Sequence, residues 1–312
     1  VYKRQDSLSA ERKRYEAKRM AVYAGMIEAM DFHIGRLIEY LKAQDLYENT
    51  VFVFTSDNGA EASGADDPNA FASRRMAASL GYHTDYERLG LKGSYNTISP
   101  SFASAAASPL AYYKFYAGEG GLRVPLIIAG DPLFNANTLT HAFAWATDIT
   151  PTLLSIAGVA KPGPRYGGRP VLSMSGRDLS PLLRGEADRV YGEEDTVGYE
   201  LTGHAAFFQG DYKLVRNGPP LGNGEWYLYN IMLDPGEVID LKLTEPSRFQ
   251  HMVSGYEQFT RDNKVMPLPE NYSQTGQLMS NFLAERFGTG VVILLLTLLV
   301  LLPFLVAYRL KN

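Results

Sequence analysis

Thr50-Val51-Phe52-Val53-Phe54-Thr55-Ser56-Asp57-Asn58-Gly59 is the stretch on which the fold turns. Its first six residues form an unbroken apolar, β-rich run, which suits a strand buried on both faces of a parallel sheet. The Asp-Asn-Gly that follows sits just past the carboxyl end of that strand, where open α/β sheets place their ligands. Upstream, Met20, Tyr23, Met26, Ile27, Met30, Ile34, Leu37, Ile38 and Leu41 recur at three- and four-residue steps, predicting one amphipathic helix over residues 7–45. Helix, short turn and buried strand together predict an α/β layer architecture.

Working downstream, residues 60–117 lose periodicity and read as a long irregular stretch, which in a compact domain is often a binding or active-site loop. Val124–Ala129 is a second short strand. Asp148 is placed to cap a helix over Ile149–Ala157, with Pro151 in its first turn and Gly158 at its end. After about residue 190 the texture changes to short strands, His204–Gln209, Tyr212–Arg216 and Trp226–Asn230, with Gly210-Asp211 as a hairpin turn. A helix from about Pro246 to Asn263 follows. The expected domains are therefore an α/β part over 1–190 and a smaller α+β part over 191–266, then a linker over 267–286.

From Phe287 to Tyr308 the sequence has 22 residues without a charge. As a helix this is about 33 Å, enough for a hydrocarbon core of about 30 Å. It predicts a transmembrane helix over 287–308. Arg309 and Lys311 put the short tail, 309–312, in the cytoplasm and the globular part outside, in periplasm or extracellular space. At the other end no signal peptide or initiating Met is present, and Val1-Tyr2-Lys3-Arg4-Gln5 resembles translated adapter sequence. The expectation is a C-terminal portion of a longer, membrane-anchored protein.

The chain has 312 residues, with 30 basic against 34 acidic ones and a net charge of −4, which argues against a nucleic-acid partner. Zero cysteines exclude a disulfide scaffold, a thiol nucleophile and Cys-ligated metal within these residues. Among residues that could carry chemistry, Asp57 and Asn58 offer two hard oxygens of the kind Ca²⁺ or Mg²⁺ prefers, although Asp-Asn-Gly is also simple turn chemistry. Lys114 enters a Gly-rich turn and could meet an anionic ester as a point charge. His83, in the irregular stretch, could face a substrate; His33, His141, His204 and His251 read as structural, with no metal-ligand spacing. Thr244-Glu245-Pro246-Ser247-Arg248 approximates a Cys/Ser-x-Pro-x-Arg nucleophile motif, but Thr replaces the nucleophile and Pro246 reads as the start of a helix.

Several segments together resemble the second half of a bacterial arylsulfatase, of the alkaline-phosphatase-like superfamily. They are Tyr23–Asp31, Thr50–Thr55 with Ser56–Glu61, Lys114 with Glu119–Pro125, and Thr147–Leu154. In the small domain Gly198–Leu201, Gly210–Lys213 and Leu228-Tyr229 with Asp234–Glu237 also match. The resemblance covers residues 10–265. It implies a partial α/β/α sandwich with a small domain of antiparallel sheet and helix, Asp57 and Asn58 as Ca²⁺ ligands (Mg²⁺ being possible), and Lys114 contacting the sulfate. It implies hydrolysis of sulfate esters, on small molecules or glycans, with a formylglycine nucleophile. That nucleophile and the paired N-terminal aspartates of the family lie upstream of anything present. The fragment alone is therefore expected to be inactive, with apolar surface exposed on its first helix and strands. The alternatives are a phosphonate or phosphodiester hydrolase of the same superfamily, or a non-catalytic membrane-anchored binding protein of the same fold.

Overall fold

The computed structural model describes residues 8–62, 71–130, 134–135, 138–269 and 272–311, so the suspected adapter residues 1–5 lie outside it. The chain divides into two compact units, Val1–Asn263 and Lys264–Asn312.

In the first unit, α1 (Ala10–Ala43) begins where the Ser9 side chain accepts the Arg12 N–H at 3.1 Å, an N-cap worth about 1 kcal/mol. Only its N-terminal part is buried. Tyr15 donates its hydroxyl to the Thr84 carbonyl at 2.6 Å, and the buried Arg19 guanidinium is shared between Glu16 and Thr97. Further along, Met26, Ile27, Met30 and Leu37 are exposed.

The strand of the opening stretch is β1 (Phe52–Thr55), and its partner is β2 (Leu126–Ala129). They pair antiparallel, Phe52 opposite Ala129 and Thr55 opposite Leu126. The expected parallel pairing and burial on both faces are thus corrected, since Phe54, Thr55 and Ile127 are exposed. An apolar run reports that both faces favour cover; it carries no information on the direction of its neighbour. The stretch expected to be irregular holds two helices, α2 (Phe71–Ser79) and α3 (Ser99–Ala107), followed by the single turn α4 (Glu119–Leu122). Alanine supplies their helix propensity without an apolar stripe to announce them.

Helix α5 (Ile149–Ile156) ends at Gly158, whose φ of 65° is the left-handed conformation expected of a terminating glycine. Asp148 precedes it but does not cap it with its side chain. Its fully buried carboxylate accepts instead from the Trp145 N–H at 2.6 Å, the Arg177 N–H at 2.8 Å and the Tyr191 hydroxyl at 2.6 Å. A short hairpin, β3 (Arg165–Tyr166) and β4 (Arg169–Pro170), and the turn α6 (Ser180–Leu183) follow.

The rest of this unit is a four-stranded antiparallel meander in the order β5 (Thr196–Leu201), β6 (His204–Gln209), β7 (Tyr212–Arg216) and β8 (Trp226–Asn230), and the helix α7 (Pro246–Asp262). Both of its faces are covered. On one, Ala205, Phe207, Leu214 and Leu228 pack against Met252 and Tyr256 of α7. On the other, Ala206, Phe208 and Val215 pack with Ala117 and Ile231, joined by Phe143 and Trp145. Every residue of β6 is accordingly buried.

The second unit contains α8 (Gln274–Lys311), interrupted at Gly288 (φ 69°, ψ 152°). Among the described residues no helix is long and apolar enough to cross a membrane. The span expected over 287–308 is therefore not found there.

Candidate functional site

The local geometry of Asp57-Asn58 is decided by the glycine that follows them. The Gly59 N–H donates to the Gly121 carbonyl at 2.9 Å, and a Cβ on Gly59 would lie 1.8 Å from the Gly120 carbonyl oxygen. A Cβ on Gly120 or Gly121 would in turn lie 2.3 Å from the Tyr112 carbonyl or 2.2 Å from that of Tyr116. Three glycines thus let the loop after β1 lie backbone to backbone on α4, and α4 on residues 111–116. The Gly120 N–H closes the second contact, donating to the Ala111 carbonyl at 2.7 Å.

This seam brings the segments bearing Asp57, Asn58 and Lys114 together. The Lys114 N–H donates to the Ala60 carbonyl at 3.1 Å, three residues beyond Asp57. The Lys114 ammonium pairs with Glu61 and lies 5.4 Å from the centre of the Phe115 ring. The Asp57 carboxylate is exposed and takes no hydrogen bond or ion pair among the described residues, while Asn58 is half-buried. No group of three or more His, Asp or Glu able to hold a metal ion occurs among the described residues. His83 sits elsewhere, in a loop closed by its N–H to the Gly93 carbonyl at 3.0 Å and its own carbonyl to the Tyr95 N–H at 2.8 Å. The Asp85 carboxylate lies 3.9 Å from its ring. No described contact joins it to Asp57, Asn58 or Lys114.

Beneath the seam lies a charge cluster to which sequence reasoning gave no role. Glu119 accepts from the Lys213 ammonium at 2.8 Å and from Arg123 Nε at 2.6 Å, and Lys213 also sits 2.9 Å from Glu237. Glu237 closes the ring by accepting the Glu119 N–H at 2.8 Å. Lys213 is fully buried and both glutamates nearly so. Burial opposes ionisation of Glu119, but Lys213 and Arg123 together hold its carboxyl below the usual range. Burial also opposes the Lys213 charge, which Glu237 and Glu119 outweigh, leaving the ammonium above its usual range. The Glu237 carboxyl is pushed up by burial, which Lys213 only partly offsets. One signal for this cluster was legible: Lys213 interrupts the apolar run of β7 in phase with Val215, on a face that is buried.

Nearby, the His204 ring accepts the Gly218 N–H at 3.1 Å and stands edge-on to Tyr116, 4.8 Å away. Asn217 accepts the Ala117 N–H at 2.7 Å. The sheet and the glycine seam are therefore joined by several buried polar contacts.

With this geometry in hand, comparison with known proteins is informative. The family described as Sulfatase matches residues 2–159. An uncharacterized sulfatase of Schizosaccharomyces pombe is 31% identical over 268 residues, which are 86% of this chain and 48% of that protein. The arylsulfatase of Klebsiella aerogenes is 32% identical over 178 residues, 57% of this chain and 37% of that enzyme. The crystal structure of Ps i-CgsB superimposes with a TM-score of 0.55 at 23% identity, over 85% of this chain and 48% of that one, and so shares its fold. The chain spans about half the length, or less, of the curated relatives it matches.

Proposed function

Since the chain belongs to the sulfatase family, we propose that the protein it forms hydrolyses sulfate esters, on small molecules or glycans, at a site to which Asp57, Asn58 and Lys114 contribute. The observation that carries this reading is the glycine seam. It brings together the loop carrying Asp57, a carboxylate with no partner among the described residues, and Asn58, and the segment bearing Lys114.

The donor chemistry fits a hard divalent cation. Asp57 and Asn58 offer oxygen ligands, and an exposed carboxylate with no partner among the described residues has its lone pairs available. Two residues are too few for the six to eight oxygens Ca²⁺ takes, so this reading assigns the remaining ligands, and the formylglycine nucleophile, to residues outside those described. Bound there, Ca²⁺ or Mg²⁺ would neutralise charge developing on the ester oxygens. Lys114 would add a point charge to the sulfate, exchanging its partner Glu61 for the ester. Attachment to a membrane through 287–308, with the globular part outside, belongs to the same reading on sequence grounds: a charge-free segment followed by Arg309 and Lys311.

The test is release of sulfate from an aryl sulfate and from a sulfated glycan by the full-length protein, with a phosphonate monoester as the competing substrate. Asp57→Ala and Lys114→Ala are each expected to lower turnover by at least about 10²-fold. Chelation is expected to abolish turnover, and added Ca²⁺ to restore it. Wild-type turnover in either variant, or preference for the phosphonate, would overturn the reading.

A further inference from the structure

The Glu119–Lys213–Glu237 cluster reaches from the four-stranded sheet to the turn on which Asp57-Asn58 and Lys114 meet. Three constraints converge on Glu119: its carboxylate is held from opposite sides by Lys213 and Arg123, its N–H is held by Glu237, and the next N–H, of Gly120, is held by Ala111. Gly120 and Gly121 then carry that placement directly to Gly59, with no side chain between them to absorb a shift. Glu237 itself has φ 53°, a left-handed conformation unfavourable by roughly 1–2 kcal/mol for a residue other than glycine. The Asp234 carboxylate holds it there by accepting the Val238 and Ile239 N–H groups, each at 2.7 Å.

A buried ion cluster is a poor device for stability alone, because apolar residues of similar volume often serve as well or better. Its distinguishing product is a fixed geometry. We propose that Lys213 and Glu237 are positioning residues for the sulfate-ester site, acting through Glu119 to fix the register between the Asp57-Asn58 loop and the Lys114 segment. The inference rests on the reading of that site given above. Neither residue touches substrate. A displacement of about 1 Å in such a framework is enough to lower a rate by about 10²-fold.

The experiment compares Lys213→Met/Glu237→Gln with the single variant Glu237→Gln in the full-length protein. The double variant leaves Glu119 paired with Arg123 and no carboxylate buried without a cation. The single variant is isosteric and keeps an oxygen for the Glu119 N–H, so it tests the proposal even where the double variant does not fold. Two readouts are taken: kcat and KM on an aryl sulfate, and amide hydrogen exchange at Gly59, which needs neither metal nor substrate. In the double variant kcat is expected to fall by at least about tenfold with KM within about threefold. Gly59 is expected to exchange about tenfold faster while the amides of β6 and β7 keep their protection. The single variant is expected to move both quantities the same way, by less. Unchanged exchange at Gly59, or a loss of turnover matched by an equal loss of folded protein, would overturn the proposal. A silent Asp57→Ala would instead overturn the functional reading and leave the exchange result standing on its own.

Discussion

Two β-structures in this chain have similar apolar sequences and opposite fates. The four-stranded sheet buries both faces, one under α7 and the other under residues around Ala117, Phe143 and Trp145, and all six positions of β6 are buried. The β1–β2 ladder pairs Phe-Val-Phe-Thr with Leu-Ile-Ile-Ala and leaves Phe54, Leu126 and Ile127 exposed. The difference teaches that an apolar strand specifies a demand for cover, and that the cover itself must come from elsewhere. In the meander it comes from α7 on one face and from residues around Ala117, Phe143 and Trp145 on the other. In the ladder, and along α1 beyond Met26, the described residues do not provide it. The candidate site stands between the two: Asp57 and Asn58 follow β1, and the glycine seam on which they lie meets the sheet through Glu119 and Lys213.

The comparison breaks most readily at Gly59. Gly59→Ala puts a methyl 1.8 Å from a backbone oxygen, so the seam must open. Turnover of the full-length protein is expected to fall by at least about 10²-fold, while exchange protection of β6 and β7 is retained. Retained turnover would mean that the site does not depend on the seam. A smaller contrast separates the two β-structures themselves. Leu228→Ala, at a fully buried position, is expected to cost about 2–5 kcal/mol in chemical denaturation. Ile127→Ala, at 57% exposure, is expected to cost under about 0.5 kcal/mol. Equal costs would show that Ile127 is covered in solution, by a neighbouring part of the protein or by another molecule.

The smallest effect concerns pH. Burial lowers the His204 pKa below 6.5, with Glu200 and Asn217 opposing that shift and Arg216 adding to it. The unfolded chain then binds a proton more readily than the folded one between the lowered value and 6.5. Stability is therefore expected to fall as pH drops below about 6.5, and to level off below the folded pKa. His204→Gln is expected to remove that slope, read as the denaturation midpoint between pH 5 and 7. An unchanged slope would assign it to other groups.

Much of the meander was legible because its signals are local. The boundaries of β6, β7 and β8 follow from apolar runs cut by Gly210-Asp211 and by the polar stretch after Arg216, and Pro246 marks the start of α7. Gly158 likewise acts on its own neighbours. The pairing of β1 with β2 was not legible in its direction, since the strands lie some seventy residues apart and either orientation satisfies the same pattern. Asp148 shows the same limit: its position before α5 was correct, but its carboxylate serves residues 145, 177 and 191. Around the proposed site, residue type made Asp57, Asn58 and Lys114 candidates and only the family resemblance gave them roles; the structure brings their segments together where the Lys114 N–H meets the Ala60 carbonyl. Lys213 and Glu237 carry no such signal, because a lysine in a strand is ordinarily solvated and only the second covered face makes it otherwise.

The glycine seam also bears on the order in which the protein takes shape. The meander closes through two-residue turns and short loops, so its contacts carry little loop-closure entropy. The seam and its supports close far longer loops: Gly59 meets Gly121, Glu119 meets Lys213 across 94 residues, and Ala117 meets Asn217 across 100. Contacts of such sequence separation form slowly and are rewarded only once their anchors exist. The segments bearing Asp57 and Lys114 are thus the ones that must wait for the meander, and a nascent chain halted before residue 213 would lack the ammonium that holds Glu119 beneath them.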